Sequence, residues 1–163
     1  MRILDADQVR RKLARLAAEI LERHFEHGRL FLVGVNNNGY ETARLLKEGI
    51  DAEGYALDVS LRRVRLSPAD PLHGGIDLEG DASELDGEHV ILVDDVANTG
   101  RTAFYATAPL THVLPRSLEV AVLVDRKHKA WPVSCDYVGL TLATSLQEDI
   151  RVYYGDDWRV EIF

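Results

Sequence analysis

The most constraining feature of this chain is a thirteen-residue string, Val90-Ile91-Leu92-Val93-Asp94-Asp95-Val96-Ala97-Asn98-Thr99-Gly100-Arg101-Thr102. Its four leading apolar residues are continuous rather than alternating. That is the pattern of a strand buried on both faces, as parallel strands are. The strand is read over His89 to Asp94, and a helix is expected from about Thr102. A strand covered on both faces needs helices above and below it, which points to an α/β fold with a mainly parallel central sheet.

The rest of the chain fits that class. Asp5 or Asp7 is placed to cap a first helix with Val9, Leu13, Leu16, Ala17, Ile20, Leu21 and Phe25 on its apolar face. Gly28 is expected to end it. Leu30 to Val35 reads as a second buried strand, and Asn36-Asn37-Asn38-Gly39 as a tight turn. A short helix over about Tyr40–Glu48 is expected to stop at Gly49. Strands are expected over Tyr55–Leu61, Leu118–Val124 and Asp136–Gly139. A terminal pair is expected at Arg151–Tyr154 and Trp158–Phe163. Arg62 to Glu88 shows no period but holds Pro68, Pro71, Gly74, Gly75 and Gly80, the composition of a functional loop. No repeat or linker interrupts the chain, so one domain over residues 1–163 is expected.

Composition narrows the class further. A single cysteine, Cys135, cannot form an internal disulfide, which suggests a reducing compartment. Cys135 is read as a small core residue, since no activating base is apparent beside it. The start Met-Arg-Ile-Leu-Asp has no apolar signal core, and no run approaches the roughly 18 apolar residues of a membrane span. The expectation is a cytoplasmic protein with no membrane partner. The net charge of −8 opposes binding to nucleic acid overall.

The chemistry is expected at the end of the strand over 89–94. In open α/β sheets ligands bind outside the carboxyl ends of the strands. The loop after Asp94 and the Asn36–Gly39 turn both lie at such ends. Exposed main-chain N–H groups at 97–102 suit a phosphate, Gly100 lets the backbone come close, and Thr99 and Thr102 add hydroxyl donors. Asp94 and Asp95 suit ribose hydroxyls or a hard cation such as Mg²⁺.

The string resembles the binding signature for 5-phosphoribosyl-1-pyrophosphate (PRPP) of the type I phosphoribosyltransferases. Leu123-Val124-Asp125-Arg126-Lys127-His128, Pro132, Asp136-Tyr137-Val138-Gly139 and Thr144-Ser145 resemble the C-terminal half of the PyrR family, pyrimidine-operon regulators with uracil phosphoribosyltransferase activity. The resemblance covers nearly the whole chain. It implies the type I fold with a flexible lid at about 62–80 and a small C-terminal hood at about 125–163.

The resemblance also implies roles. Asp94 and Asp95 meet the ribose hydroxyls or Mg²⁺. Ala97, Asn98, Thr99, Gly100, Arg101 and Thr102 wrap the 5-phosphate. Asn37, Asn38 and Gly39 face pyrophosphate, with Arg63 at the lid's base as a catalytic contact. Asp125, Arg126, Tyr137 and Val138 surround the base. Purine-salvage relatives carry an acidic residue at the position of Asn98 and a lysine at that of Asp125, so the residues here favour a pyrimidine, uracil. PyrR relatives usually carry basic residues where this chain has Asn36-Asn37-Asn38. They also read Leu-Tyr-Arg-Asp-Asp where it has Leu61-Arg62-Arg63-Val64-Arg65. These departures imply a weaker hold on pyrophosphate. The alternative implied is an RNA-binding attenuation regulator or nucleotide sensor with little turnover. Arg11, Arg15, Arg126, Lys127, His128 and Lys129 are the candidates for RNA, and a homodimer is expected.

Overall fold

The computed structural model describes residues 1–145 and 147–163. Helix α1 (Ala6–His24) is fixed at its start by a capping box. Gln8 N donates to Asp5 Oδ1 at 2.8 Å and Asp5 N to Gln8 Oε1 at 2.9 Å. Its buried side runs Val9, Leu13, Leu16, Ala17, Ile20, Leu21 and His24. Phe25, expected on that face, lies past the helix end and is exposed. Gly28 has φ +78°, a left-handed turn that suits glycine.

Six strands form the main sheet: β2 (Arg29–Val35), β3 (Asp58–Arg65), β4 (Asp77–Leu78), β5 (His89–Ala97), β6 (Ser117–Arg126) and β7 (Tyr137–Leu142). Their order is β4-β3-β2-β5-β6-β7, and every pairing is parallel except that of β4 with β3. Side chains alternate across the sheet. Leu30, Leu32, Ile91 and Val93 pack with α1 and with α2 (Asn36–Asp51), whereas Phe31, Val33, Val90 and Leu92 pack with Ala103 and Ala106 of α3 (Arg101–Ala106). Both faces of the sheet are thus dry, which is why these strands read as unbroken apolar runs.

The chain leaves β2 outward to β3 and returns to β5 on the other flank of β2. The β2–β5 seam is therefore the topological switch point, where the loops leaving adjacent strands diverge and open a crevice. Two glycines set how tightly α2 closes on that seam. A Cβ on Gly34 would stand 2.3 Å from Tyr40 Cα. One on Gly39 would stand 2.7 Å from the Val93 carbonyl and 3.1 Å from Asp94 Oδ1.

A second sheet, β1 (Arg2–Leu4), β9 (Arg159–Ile162) and β8 (Ile150–Tyr153), is antiparallel and sits at the carboxyl end of the crevice. Tyr154 Oη lies 2.8 Å from Thr42 Oγ1, latching this sheet to α2.

Several expectations are corrected. The asparagine turn is the first turn of α2, with only Asn36 in the left-handed region at φ +53°. Gly49 does not end α2, which continues to Asp51 because its helical conformation needs no special φ. The third strand lies later than Tyr55–Leu61. Residues 62–65, expected in the lid, complete β3 and pair with β2, so the loop proper begins at Leu66. Within the 125–163 stretch expected to form a hood, β7 belongs to the main sheet, whereas β8 and β9 pair with β1 from the N-terminus in the second sheet.

Gly34→Ala is expected to destabilise the fold by about 1–3 kcal/mol, because backbone rather than a flexible side chain must give way. Urea unfolding measures this, and an unchanged midpoint would contradict the close approach.

Candidate active site

The switch-point crevice is a cavity of about 520 Å³. Asp94, the run Ala97–Ala103, Trp131 and Arg126 line it, with Pro68 and residues 147–149 at its edges. A smaller recess of about 250 Å³ extends it past Asp95 to Asn36, Asn38 and Ile150.

The loop from Ala97 to Arg101 decides what the cavity can hold. Among the described residues, the main-chain N–H groups of Asn98, Thr99, Gly100 and Thr102 donate no hydrogen bond within the chain. Arg101 N reaches only Thr99 Oγ1 at 3.4 Å. Main-chain amides without partners, on consecutive residues that line a cavity, suit an anion. The loop's carbonyls, by contrast, are used to fix its shape. Thr99 O accepts from Ala130 N at 2.9 Å and from Trp131 N at 3.1 Å, and Gly100 O accepts from Phe104 N at 2.9 Å. Gly100 has φ +86°, and a Cβ there would stand 3.2 Å from Val133 Cβ. Arg101 donates to the Pro68 carbonyl at 2.6 Å, tying the loop after β5 to the loop after β3.

The two aspartates differ. Both Asp95 oxygens are held: Oδ1 accepts from Val96 N at 2.9 Å and Oδ2 from Asn38 Nδ2 at 2.9 Å. Asn38 Nδ2 also donates to Val152 O at 3.0 Å, so one amide joins α2, β5 and the hood. Asp94 Oδ1 accepts from Asp95 N at 2.9 Å. Burial, then the neighbouring Asp95 charge, push the Asp94 carboxyl well above the usual carboxylate range. A carboxylate desolvated beside a second carboxylate has this signature, and a divalent cation or a pair of hydroxyl donors would relieve it.

The pattern of the phosphoribosyl transferase domain matches residues 2–156. The chain belongs to the phosphoribosyl transferase family. It is a type I, PyrR-like member, since a bifunctional protein PyrR of Bacillus subtilis is 38% identical over 161 residues, 92% of this chain and 87% of that protein. The bifunctional protein PyrR of Haemophilus ducreyi is 33% identical over 159 residues, again 92% of this chain and 87% of the relative. Among solved structures, the hypoxanthine phosphoribosyltransferase of Trypanosoma cruzi matches with a TM-score of 0.77 at 19% identity, over 98% of this chain and 94% of that one. That likeness is one of fold.

Within this phosphoribosyltransferase fold, most of the expected residues meet. Asp94, Asp95 and 97–102 surround the cavity, and Asn38 reaches Asp95. Arg63 comes to the same end of the sheet. It donates to Asn37 Oδ1 at 3.0 Å and lies 4.0 Å over the Tyr40 ring, and its buried Nε has no partner among the described residues. Arg62 and Arg65 instead pair with Glu84 and Glu79.

Of the residues expected around the base, only Arg126 lines the cavity. Tyr137 and Val138 open β7 level with Ala121 and Val122, midway along β6, and neither lines the cavity. Tyr137 is 1% exposed and its hydroxyl donates to Glu119 at 3.1 Å; it is a core residue. Asp125 does not line the cavity either, because Lys129 Nζ holds it at 2.5 Å. Arg126 does line it, but its guanidinium is spent on Thr144 Oγ1, at 2.6 Å, and on the carbonyls of Ser145 and Glu148. The residue missed was Trp131; its position inside the irregular 127–136 stretch gave no periodic signal. The basic residues considered for RNA are also partly consumed. Arg15 donates to the Val138 and Gly139 carbonyls, and Lys129 and Arg126 are engaged as above. Burial, then Asp125, push the Cys135 thiol up to about 12, which disfavours the thiolate at neutral pH. Among the described residues, no helix is long and apolar enough to cross a membrane.

Asp94→Asn is expected to stabilise the apo protein by about 0.5–2 kcal/mol at neutral pH, as removal of active-site strain often does. A carboxyl raised on folding gives its full contribution below the ordinary carboxylate range and loses it as pH rises through the folded value. The gain from the substitution should therefore shrink on acidification. Thermal unfolding at neutral and acidic pH checks this; no gain, or an equal gain at both, contradicts it.

Proposed function

We propose that the chain transfers the phosphoribosyl group of PRPP to uracil, forming UMP and releasing pyrophosphate. The row of unpaired amides at 98–102 beside the Asp94–Asp95 pair carries this reading. The amides would hold the 5-phosphate, and the aspartates the ribose hydroxyls next to it. Asp95 is already aimed by Val96 N and Asn38 Nδ2, so little ordering is left to binding.

In the reaction the bond from ribose C1 to a pyrophosphate oxygen breaks, and one from C1 to a base nitrogen forms. The donor set of Asp94 and Asp95 fits Mg²⁺, hard carboxylate oxygens with an unrelieved like-charge pair. When bound, Mg²⁺ would neutralise charge developing on the leaving group. The chain's own contribution to pyrophosphate is the start of α2. That helix has no side-chain cap, so the amides of its first turn and its dipole point outward. Arg63, stacked on Tyr40, supplies the cation there in place of basic loop residues. The loop from Leu66 to Ile76, tethered by Arg101, would exclude water while C1 is cation-like.

The pyrimidine preference rests on two supports. Asn98 is a neutral amide and cannot take a proton from a purine ring. The relatives of 33–38% identity bear the PyrR name. Trp131 lines the cavity, and its ring would supply an aromatic surface for a ligand ring.

One observation favours a second reading, an RNA-binding regulator with little turnover. Asn36, Asn37 and Asn38 are neutral, and their side chains are committed to Leu66 N, Arg63 and Asp95. The two readings are compatible, since the PyrR relatives are named bifunctional. Self-association as a homodimer, expected from the resemblance, belongs to the same proposal.

A base panel with PRPP and Mg²⁺ tests the first reading, with UMP as the expected product. Turnover confined to guanine or hypoxanthine would overturn the substrate, and no product from any base would leave the regulator. Gly100→Val is expected to weaken PRPP binding at least tenfold while keeping a cooperative unfolding transition. Calorimetry showing wild-type affinity would contradict the loop's role.

A further inference from the structure

At the opposite end of the sheet from the crevice, three histidines meet. His24 closes α1, His27 follows it in the next turn, and His89 opens β5. One ligand nitrogen from each lies within 4.8 Å of the other two. His24 Nδ1 and His27 Nδ1 are 3.0 Å apart, and the His27 and His89 rings stack at 3.9 Å with 10° between their planes.

Two of the rings are held from behind. His24 Nε2 lies 2.7 Å from Glu119 Oε1, a carboxylate that can only accept, so the proton sits on Nε2 and the Nδ1 lone pair faces the cluster. Glu119 is itself fixed by Arg23 at 3.1 Å and by the Tyr137 hydroxyl at 3.1 Å. His89 Nδ1 lies 2.6 Å from Ser117 Oγ, which leaves its Nε2 for the cluster. A carboxylate or hydroxyl that sets the tautomer of a histidine from behind is the usual outer support of a metal ligand. His27 is the exposed, adjustable member.

We infer that His24, His27 and His89 form a binding site for a transition-metal dication of the Zn²⁺ or Co²⁺ class, with solvent as a fourth ligand. Three neutral imidazoles suit this class and not Mg²⁺ or Ca²⁺, which prefer oxygen. A tetrahedral zinc with its bonds of about 2.0–2.1 Å brings nitrogens to roughly 3.4 Å of one another, and because a ligand lone pair lies in the ring plane, the exposed His27 must rotate out of its stack on His89 to aim at the shared ion. Arg116 repels a cation here, and Glu119 offsets it. Bound metal would pin the end of α1 to the start of β5. The site is independent of the proposed transferase chemistry, which lies at the far ends of the strands.

Untagged full-length protein, stripped with a chelator, would be titrated with Co²⁺ and then with Zn²⁺. The expected result is one Co²⁺ per chain with the intense visible bands of a four-coordinate ion, bleached by Zn²⁺. His27→Ala, whose side chain is exposed, should lose the bands and weaken Zn²⁺ binding at least tenfold. His89→Gln should do the same. Absence of saturable binding in the wild type, or unchanged affinity in either variant, would overturn the inference.

Discussion

The close approach of α2's first turn to the end of β5 is the constraint on which the rest of the structure depends. Gly39 lies against the Val93 carbonyl and the Asp94 carboxyl with no room for a side chain, and Gly34 does the same for Tyr40. Only that contact brings Asn38 within reach of Asp95, and through Val152 it also fixes the hood. A one-methyl gap here would separate the two loops that share the crevice. The interior is packed closely enough that such a gap is not absorbed elsewhere.

The crevice then follows from topology and not from any one residue. Because β2 and β5 are neighbours whose connections run to opposite flanks, their loops part and leave backbone amides without partners. The protein accepts this cost at 98–102 and at the α2 start, and it also accepts a desolvated Asp94 beside Asp95. Such locally unfavourable groups, gathered in one cavity of a well-packed fold, are where a charged ligand contributes most.

Much of this was legible in the sequence because burial on both faces writes itself as continuous apolar runs. β2, β5 and β6 were readable from Leu30–Val35, Val90–Val93 and Leu118–Val124, and the Asp94–Thr102 string located the site. What was not legible depended on tertiary contact. β1 is three residues long and exists only by pairing with β9. The asparagines looked like a turn because their propensity favours one, yet packing at Gly34 and Gly39 carries the helix back to Asn36. The resemblance places Tyr137 at the base pocket, but its side chain turns into the core beside α1, where its hydroxyl meets His24 and Glu119. Trp131 lies in an irregular stretch where no periodicity exists to read.

The account stands on the amides of the loop after β5 gripping a phosphate monoester. Amide-resolved NMR during titration with ribose 5-phosphate addresses that directly, since the ligand has the phosphate and the sugar but no pyrophosphate or base. The largest shifts should fall on the N–H groups of Asn98, Thr99, Gly100 and Thr102, with smaller ones at Asp95 and Val96. Saturation that leaves these four signals unmoved while others shift would contradict the account.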